Sequence, residues 1–488
     1  MISIEEMATF CKKKGIAFLT SEIYGGFSGF YDFGPMGVEL KNNIKAELWK
    51  SFVQGRDDVV GMDGATITHP KVWEASGHTA SFMDAMVGCD RCREKFRADT
   101  LIEDAVQISA DGLSVEQLEN LIVKHKIHCP KCKGPLSMGQ QFNLMFNTQV
   151  GPAGAVQAYL RPETAQLIFT AFKNIVDIAR VKLPFGIAQA GKAYRNEISP
   201  RDFLFRTREF EQFEIEYFTH PKKTECPCFK EVADMKVQIL TESKKDLASH
   251  TIKDLVENKV FKSKWHAYWV ASFYRWFLEH GIKPENLRLR EHTKDELAHY
   301  AKACFDIEYK FPFGWKEIHG DADRSTFDLD QHMKVSKKDL RLFDEETKEK
   351  VVPHVAAEPS QGIERAMLAF LFDAYEDDKE RGNIVLKLHP SISPVKVAVF
   401  PLVSNKPGLL AMAEEIHREL RKEFNSTYDR SGSIGRRYAR QDEIGTPFCI
   451  TIDFDSLEDK SVTVRHRDST KQERIKKEDL IGYIKKKL

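Results

Sequence analysis

Apolar residues recur at every fourth position through Leu40, Ile44, Leu48 and Phe52, with Trp49 beside them. That spacing predicts an amphipathic helix over residues 37–54. A second stripe, Ile168, Phe172 and Val176, predicts a helix over 164–180, with Pro184 as its stop. The pattern then changes. Between Phe185 and Phe218 aromatic and β-branched residues crowd together and helix signals thin out, which predicts two long strands joined by the loop SPRDFLF. Residues 222–310, rich in Lys, Trp and Tyr, read as mainly helical. Helices, then sheet, then helices, without regular βαβ alternation, point to an α+β body on an antiparallel sheet.

Pro390 and Pro394 break the chain after what reads as a long helical stretch. Beyond them come a buried-strand pattern (VKVAVFPLV), a helical pattern from Leu409 to Phe424, two strands (TPFCITIDF and SVTVRHR) and a Lys-rich helix ending at Leu488. This alternation reads as a compact α/β domain. The chain thus divides into 1–390 and 391–488, with insertions at 86–140 and 222–310.

The chain has 488 residues, of which 42% are hydrophobic and 30% charged, a soluble globular mix. No apolar run approaches the ~20 residues that span a bilayer. The N-terminal MISIEEMATFCKKKG has no apolar core, so neither a signal nor a transit peptide is expected. Nine cysteines are too few for a disulfide scaffold at this length. A reduced, cytoplasmic enzyme or large binding protein remains. Lys+Arg and Asp+Glu both number 73, yet the segment from Pro394 onward holds 19 basic against 15 acidic residues. A modestly basic tail suits a polyanion, although on charge alone a solvated surface is the plainer reading.

Three groups of residues carry candidate chemistry. Cys89 with Cys92 and Cys129 with Cys132 are two CxxC pairs separated by 36 residues. Each pair can bite one side of a tetrahedral Zn²⁺, and four thiolates leave no open position, so the role would be structural. Four inert thiols are the alternative. In AYRNEISPRDFLFRTREFEQFEIEYF, Arg195, Arg206 and Arg208 alternate with Glu197, Glu209, Glu211, Glu214 and Glu216. Alternate strand residues share a face, so Arg195 and Glu197 could stand together with Phe210 and Glu214 nearby. Guanidinium groups suit phosphate oxygens, and carboxylates suit an ammonium or Mg²⁺. Charge density alone favours a solvated ladder of ion pairs. In AAEPSQGIERAMLAFL, Glu358 is read before a turn and Arg365 in the first turn of an apolar helix, where an anionic ligand would justify it. The glycine-rich YGGFSGFYDFGPMG lacks the GK[ST] of a phosphate-binding loop and reads as turns.

With these residues in view, the chain resembles the class II aminoacyl-tRNA synthetases, and within them the dimeric glycyl type. FGPMGVELKNNI and the strand ending at Pro70 resemble the first class motif, YRNEISPR (194–201) the second and EPSQGIER (358–365) the third. RPETAQ (161–166) and VWEASGH (72–78) are particular to the glycine enzymes. The third motif departs at Glu364, where many relatives carry Gly; that residue is expected on the helix surface.

The resemblance implies an antiparallel catalytic sheet flanked by helices, followed by a mixed α/β anticodon-binding domain. It implies a glycine–tRNA ligase acting on ATP, glycine and tRNA(Gly), a homodimer with Mg²⁺ and no membrane association. It implies catalytic roles for Arg195, Glu358 and Arg365. An ATP site is implied from Arg195, Asn196, Glu197, Phe205, Arg206, Thr207, Arg208, Glu209, Phe210, Glu317, Ile318, Gly362, Ile363, Glu364 and Arg365. Within it Arg195 would meet the α-phosphate, Glu197 the adenine amino group and Arg206 the outer phosphates, with Phe210 and Arg365 stacked on the adenine. Glycine would meet Arg97, Glu163, Phe210, Glu211, Gln212, Phe213, Glu214, Arg324, Glu358, Pro359, Ser360, Gln361 and Gly362. His69 and His78 read as ordinary polar residues. In the tail, Arg436, Arg437, Arg440 and Lys485 to Lys487 are candidate phosphate contacts. Two rivals remain: a synthetase of the same class for another amino acid, and a non-catalytic relative that kept the fold. RPETAQ and EFEIEYF speak against the first, and the intact Arg195, Glu197, Glu358 and Arg365 against the second.

Overall fold

The computed structural model describes residues 2–106, 108, 110, 113–152, 156–242 and 244–488. Its centre is a nine-stranded sheet. In chain order the strands are β1 (Val59–Met62), β2 (Phe185–Tyr194), β3 (Glu209–Thr219), β4 (Lys236–Thr241), β5 (Lys244–Thr251), β6 (Leu287–Glu291), β7 (Ala303–Phe311), β8 (Gly314–Asp323) and β9 (His354–Gly362). Their spatial order is β5-β4-β6-β7-β8-β9-β3-β2-β1, antiparallel except at β1/β2 and β4/β6. Helices α1 (Pro35–Trp49), α2 (Ala165–Ala179), α3 (Lys264–Glu279), α4 (Phe327–Ser336) and α5 (Ile363–Ala374) pack around it.

The apolar stripes do what their spacing predicts. Leu40, Ile44 and Leu48 of α1 are fully buried, and Pro35 opens the helix at a position that needs no backbone donor. A π-helical turn, Lys50–Gln54, continues it. Gly37 is obligatory, because a Cβ there would sit 1.8 Å from the Ile16 carbonyl oxygen. Ile168, Phe169 and Phe172 of α2 are likewise fully buried. Helix α3 is apolar on nearly every face and closes one side of the sheet, with Phe273 stacked on His319 of β8 at 4.3 Å.

The other side of the sheet is where register matters. Paired residues in neighbouring antiparallel strands point to the same face. The pairs Gln189–Glu214, Glu214–Ser360, Ser360–Gly320, Gly320–Asp306 and Asp306–Arg290 therefore form one row across six strands. One row over, Gln212 pairs with Gly362 on one flank, and Glu358, Ala322 and Cys304 align on the other. A bulge between Ile307 and Glu308 brings Glu317 opposite Glu308. The extra residue, Ile318, turns into the core and re-aims Glu317 onto this face.

Three expectations change. Residues 222–310 are not mainly helical: β4, β5, β6 and most of β7 lie there beside α3 and a short helix, Ile252–Glu257. LRLRE does alternate with period two, its leucines buried in the core and Arg288 and Arg290 on the opposite, active-site face. The stretch before Pro390 ends in a hairpin, Tyr375–Asp378 with Asn383–Leu386, not a long helix. Glu358 lies inside β9 and not before a turn.

The insertion near the two CxxC pairs is a small unit of its own. Strand Met83–Cys89 pairs with Lys95–Arg97 and Leu136–Asn143, and helices Ala98–Val106 and Val115–Lys124 cover it. After residue 395 a second sheet forms from β10 (Val397–Pro401), β11 (Ser426–Tyr428), β12 (Phe448–Ile452), β13 (Ser461–His466) and β14 (Gln472–Lys476), in the order β11-β10-β12-β13-β14. Helices α6 (Pro407–Leu420), α7 (Ile434–Asp442) and α8 (Leu480–Lys487) flank it, around a core separate from that of the body. Arg467 ties the two units by donating to the Leu388 carbonyl at 2.7 Å.

Candidate active site

A cleft of about 660 Å³ opens over the row, lined by Arg195, Glu197, Phe205, Arg206, Phe210, Glu317, Gly362 and Arg365 among others. Strand β2 delivers Arg195 just past its end, the 195–208 loop delivers Glu197, Phe205 and Arg206, and α5 delivers Arg365 from its first turn. The Arg195 guanidinium donates to the Pro162 carbonyl at 3.1 Å and lies 5.3 Å from the Phe210 ring centre. Arg365 lies 4.6 Å over the Phe205 ring and donates to the Phe205 carbonyl and to Glu317 Oε2, the latter at 2.9 Å. Arg206 stands 3.5 Å from Glu197. Its burial pulls the guanidinium below its usual range, against the pull of Glu197. The cleft thus holds three guanidinium groups and two aromatic faces, the equipment for a polyphosphate attached to a flat ring.

Deeper in, the row ends in a box of buried acids. Glu214 Oε1 accepts from Ser360 Oγ at 2.7 Å and Gln212 Nε2 at 3.0 Å, while Oε2 accepts from the Thr164 backbone N–H at 3.0 Å and the Thr164 hydroxyl. Glu163, at the mouth of α2, meets His78 Nε2 at 3.2 Å and Gln166 at 3.1 Å. Arg324 is the guanidinium of the box and is 1% exposed. It grips Asp328 through two bonds of 2.7 and 2.8 Å and Glu358 through one of 2.6 Å, and it lies 3.8 Å over the Tyr300 ring. Pairs Glu214–Ser360 and Tyr217–Ala357 put Glu216 opposite Glu358, and neither oxygen of Glu216 has a hydrogen-bond partner among the described residues.

Five carboxyls around one guanidinium carry too much negative charge for a dry site. Burial, and then the neighbouring acids, push Glu214 up and Glu216 and Glu358 well up. Burial acts the same way on Glu163, but His78 and Arg324 outweigh it and hold that carboxyl low. The box stabilises itself by holding protons, and an ammonium group would serve in their place.

Several expected residues stand elsewhere. Glu211 and Phe213 alternate with Gln212 and Glu214 and so face away from the box: Glu211 pairs with Lys41 and Lys45, and Phe213 joins the core against Trp49. Pro359 and Gln361 share that far face, where Gln361 bonds His319 and the Ile318 carbonyl. Ile318 and Ile363 are core residues. Glu364 lines the cleft as expected but is buried and not on the helix surface: it accepts from Lys41 at 2.7 Å and from the Glu211 N–H at 2.8 Å, stapling α1 and α5 to β3. Thr207 does line the cleft, its Oγ1 donating to the Glu209 carbonyl, whereas Arg208 braces the loop by donating to the Glu197 and Ser28 carbonyls, Glu209 pairs with Lys192, and Asn196 donates its N–H to the Leu144 carbonyl. Arg97 is held by Asp84 and Asp99 in the insertion. His78 is no ordinary polar residue, since it buttresses Glu163 while Ser76 Oγ holds its other nitrogen at 2.8 Å. Tyr300, Asp328 and Glu216 also belong to the box. Glu216 stood among the alternating acids of the second candidate group, and GDADRSTFD, with an acid four residues after Arg324, hinted at Asp328.

The four cysteine sulfurs of the insertion lie within 4.8 Å of one another, with Cys89–Cys132 at 3.4 Å and Cys92–Cys129 at 3.7 Å. Sulfurs on a tetrahedral ion bound at about 2.3 Å stand about 3.8 Å apart, so the residues fit a metal. In the second unit, α7 presents Arg436 and Arg440 outward, whereas Arg437 is buried and donates to the Pro401, Leu402 and Gly432 carbonyls. Arg437 is structural and drops out of the candidate phosphate contacts.

Comparison with known proteins agrees with this geometry. Residues 153–373 match the tRNA synthetase class II core domain (G, H, P, S and T), and residues 396–487 match an anticodon binding domain. The fold is similar to the solved prolyl-tRNA synthetase of Cryptosporidium parvum complexed with halofuginone and AMPPNP, with a TM-score of 0.56 at 14% identity over 98% of this chain and 74% of that one. The whole chain is 46% identical to the glycine–tRNA ligase of Caldanaerobacter subterraneus subsp. tengcongensis, covering 99% of it. It is 45% identical to that of Clostridium acetobutylicum, covering 99%, and 44% identical to that of Bacillus thuringiensis, covering 100%. Matched from end to end at these identities, the chain belongs to the glycine–tRNA ligases, a family of class II aminoacyl-tRNA synthetases.

Proposed function

We infer that this chain couples glycine to the 3′ end of tRNA(Gly) at the expense of ATP, and that the acid box is its glycine site. The observation that carries the reading is the junction of the two halves. One sheet face joins a guanidinium-lined cleft to a buried box whose surplus is negative charge. ATP would lie in the cleft with its adenine against Phe210 and Arg365, its amino group toward Glu197, its α-phosphate at Arg195 and its outer phosphates toward Arg206. Glycine would enter the box with its ammonium toward Glu214, Glu163 and Ser360. Its carboxylate would then face the α-phosphorus, attack in line and release pyrophosphate, with Arg195 meeting the charge that develops. The ribose hydroxyl of tRNA would next attack the glycyl carbonyl and release AMP. Mg²⁺ held near Glu317 and Glu358 would neutralise phosphate charge. Larger amino acids would be excluded by overlap with Arg324, Tyr300 or Glu358, which wall the box.

The test is exchange of labelled pyrophosphate into ATP with each amino acid in turn, and glycine alone should support it. An ammonium binds the ionised box, whereas Glu214, Glu216 and Glu358 hold their protons to higher pH than ordinary carboxyls. kcat/KM for glycine should therefore rise with pH above the ordinary carboxyl range, and binding should release protons. A flat profile between pH 5 and 8 would remove the box from glycine recognition.

Four further assignments belong to the same reading. Residues 391–488 would hold the anticodon stem, with Arg436, Arg440 and Lys485 to Lys487 on phosphates. Arg436→Glu combined with Lys486→Glu should lower tRNA charging at least tenfold and flatten its salt dependence, leaving pyrophosphate exchange unchanged. The four cysteines would hold a structural Zn²⁺, which elemental analysis should find at one per chain. The chain would work as a homodimer; sedimentation as a compact monomer would contradict that. It would act in the cytoplasm: among the described residues no helix is long and apolar enough to cross a membrane, and fractionation of cells would check it.

A further inference from the structure

We propose that His292, Cys304 and Asp306 form a second metal site, for a borderline-soft divalent cation of the Zn²⁺ class, beside the phosphate end of the active cleft. One ligand atom of each, an imidazole nitrogen, a thiol sulfur and a carboxylate oxygen, lie within 4.8 Å of one another. No step of glycine activation or transfer uses His292 or Cys304. The backbone under the three is fixed: Cys304 and Asp306 are alternate residues of β7 and so share a face, and the His292 N–H donates to the Cys304 carbonyl at 3.0 Å just past the end of β6. His292 Nε2 stands 2.7 Å from Asp306 Oδ2, so the ligands point at a common space.

The surroundings supply a fourth position. Gly320 sits opposite Asp306 in the register, and a Cβ there would come within 3.5 Å of Glu317 Oε1 and 3.8 Å of Asp306 Oδ1. The missing side chain leaves an opening between those two carboxylates, so Glu317 or a water can complete a tetrahedron. Two cations border the site: Arg290 is divided among Glu296, Asp306 and Glu308, and Arg365 holds Glu317 Oε2 at 2.9 Å, which leaves Glu317 Oε1 on the Gly320 side. A set of one nitrogen, one sulfur and one or two oxygens selects Zn²⁺ or Co²⁺ over Mg²⁺, which prefers oxygen alone. His292 and Cys304 are half-buried, so an ion can reach them. When Glu317 fills the fourth position, an ion bound here takes it out of service for Mg²⁺·ATP. The site would act as a brake on glycine activation when free Zn²⁺ rises.

The test begins with crystals of the full chain soaked in Zn²⁺ and measured at the zinc edge. The expected result is an anomalous peak between His292, Cys304 and Asp306, separate from any peak at the four cysteines; its absence overturns the site without reliance on a variant. In solution, Co²⁺ titrated into the full chain as purified, with its four-cysteine site loaded, should bind one equivalent more in wild type than in Cys304→Ser, with a matching loss of sulfur-to-cobalt absorption. His292→Gln, which removes a nitrogen ligand outright, should weaken that equivalent by at least the roughly 10- to 100-fold that loss of an outer partner alone costs. Equal stoichiometry and equal spectra in wild type and Cys304→Ser would overturn the proposal. At fixed Mg²⁺·ATP, Zn²⁺ should inhibit wild-type pyrophosphate exchange at least tenfold more strongly than exchange by Cys304→Ser, and equal inhibition would reject the brake.

Discussion

Glu214→Gln should lower glycine-dependent pyrophosphate exchange by roughly 30- to 1,000-fold in kcat/KM, while ATP binding and the melting temperature stay near wild type. The size follows from removing one partner of a buried charge pair, about 2–4 kcal/mol at the transition state. The stability forecast follows from the surplus of acids. The amide keeps an acceptor for Ser360 or Thr164 yet brings no charge that must be desolvated, so the fold loses little. Loss of activity should appear mainly in the KM for glycine. It should be accompanied by a flatter pH profile, because one of the raised carboxyls has been removed. Exchange within threefold of wild type would show that the ammonium binds elsewhere.

Arg324→Met should be the more damaging change to the fold. Arg324 is the guanidinium gripped between Asp328 and Glu358 at 2.6–2.8 Å, so its loss leaves two buried carboxylates without a counter-charge. Breaking such a pair costs about 3–5 kcal/mol. The sign with pH is fixed by linkage. Burial already raises Glu358, and removing Arg324, which lowers it, raises it further. A group whose folded pKa is raised contributes stability below its unfolded pKa and loses it as pH rises through the folded value. The variant should therefore melt closest to wild type near pH 5 and fall progressively further behind toward pH 8. A melting deficit independent of pH would mean that the cost is lost packing against Tyr300, not stranded charge.

Helix α5 and the β3–β9 contact show how the two predictions are connected. Gly362 and Arg365 come from one motif, Glu214 from another and Arg324 from a segment between them. Read alone, the segment that carries Glu214 offered a plausible ion-pair ladder. Across the sheet, pairing places Glu214 against Ser360 and Gly320 against Asp306, and the ladder becomes a pocket with a surplus of one sign.

What the sequence by itself determined was local or recurrent. The stripes of α1 and α2, the two strands around SPRDFLF, the break before the second unit and the CxxC pairs all rest on spacing along the chain. The family and its motif residues were legible for the same reason, because motifs are contiguous. What only the tertiary structure decided was which face each motif residue shows and who its neighbours are. The same motif strand holds Glu214 in the box and Glu211 on the far side with Lys41, since parity in a strand acquires meaning only once register is known. Glu317 reaches the cleft because a bulge shifts the pairing by one residue, which no periodicity records. Arg437 is buried beside the exposed Arg436 for want of any signal but the position of a neighbouring strand. The roles of His78, Tyr300 and Glu216 were not legible because their partners lie tens to hundreds of residues away, and an electrostatic surplus is a sum over neighbours in space.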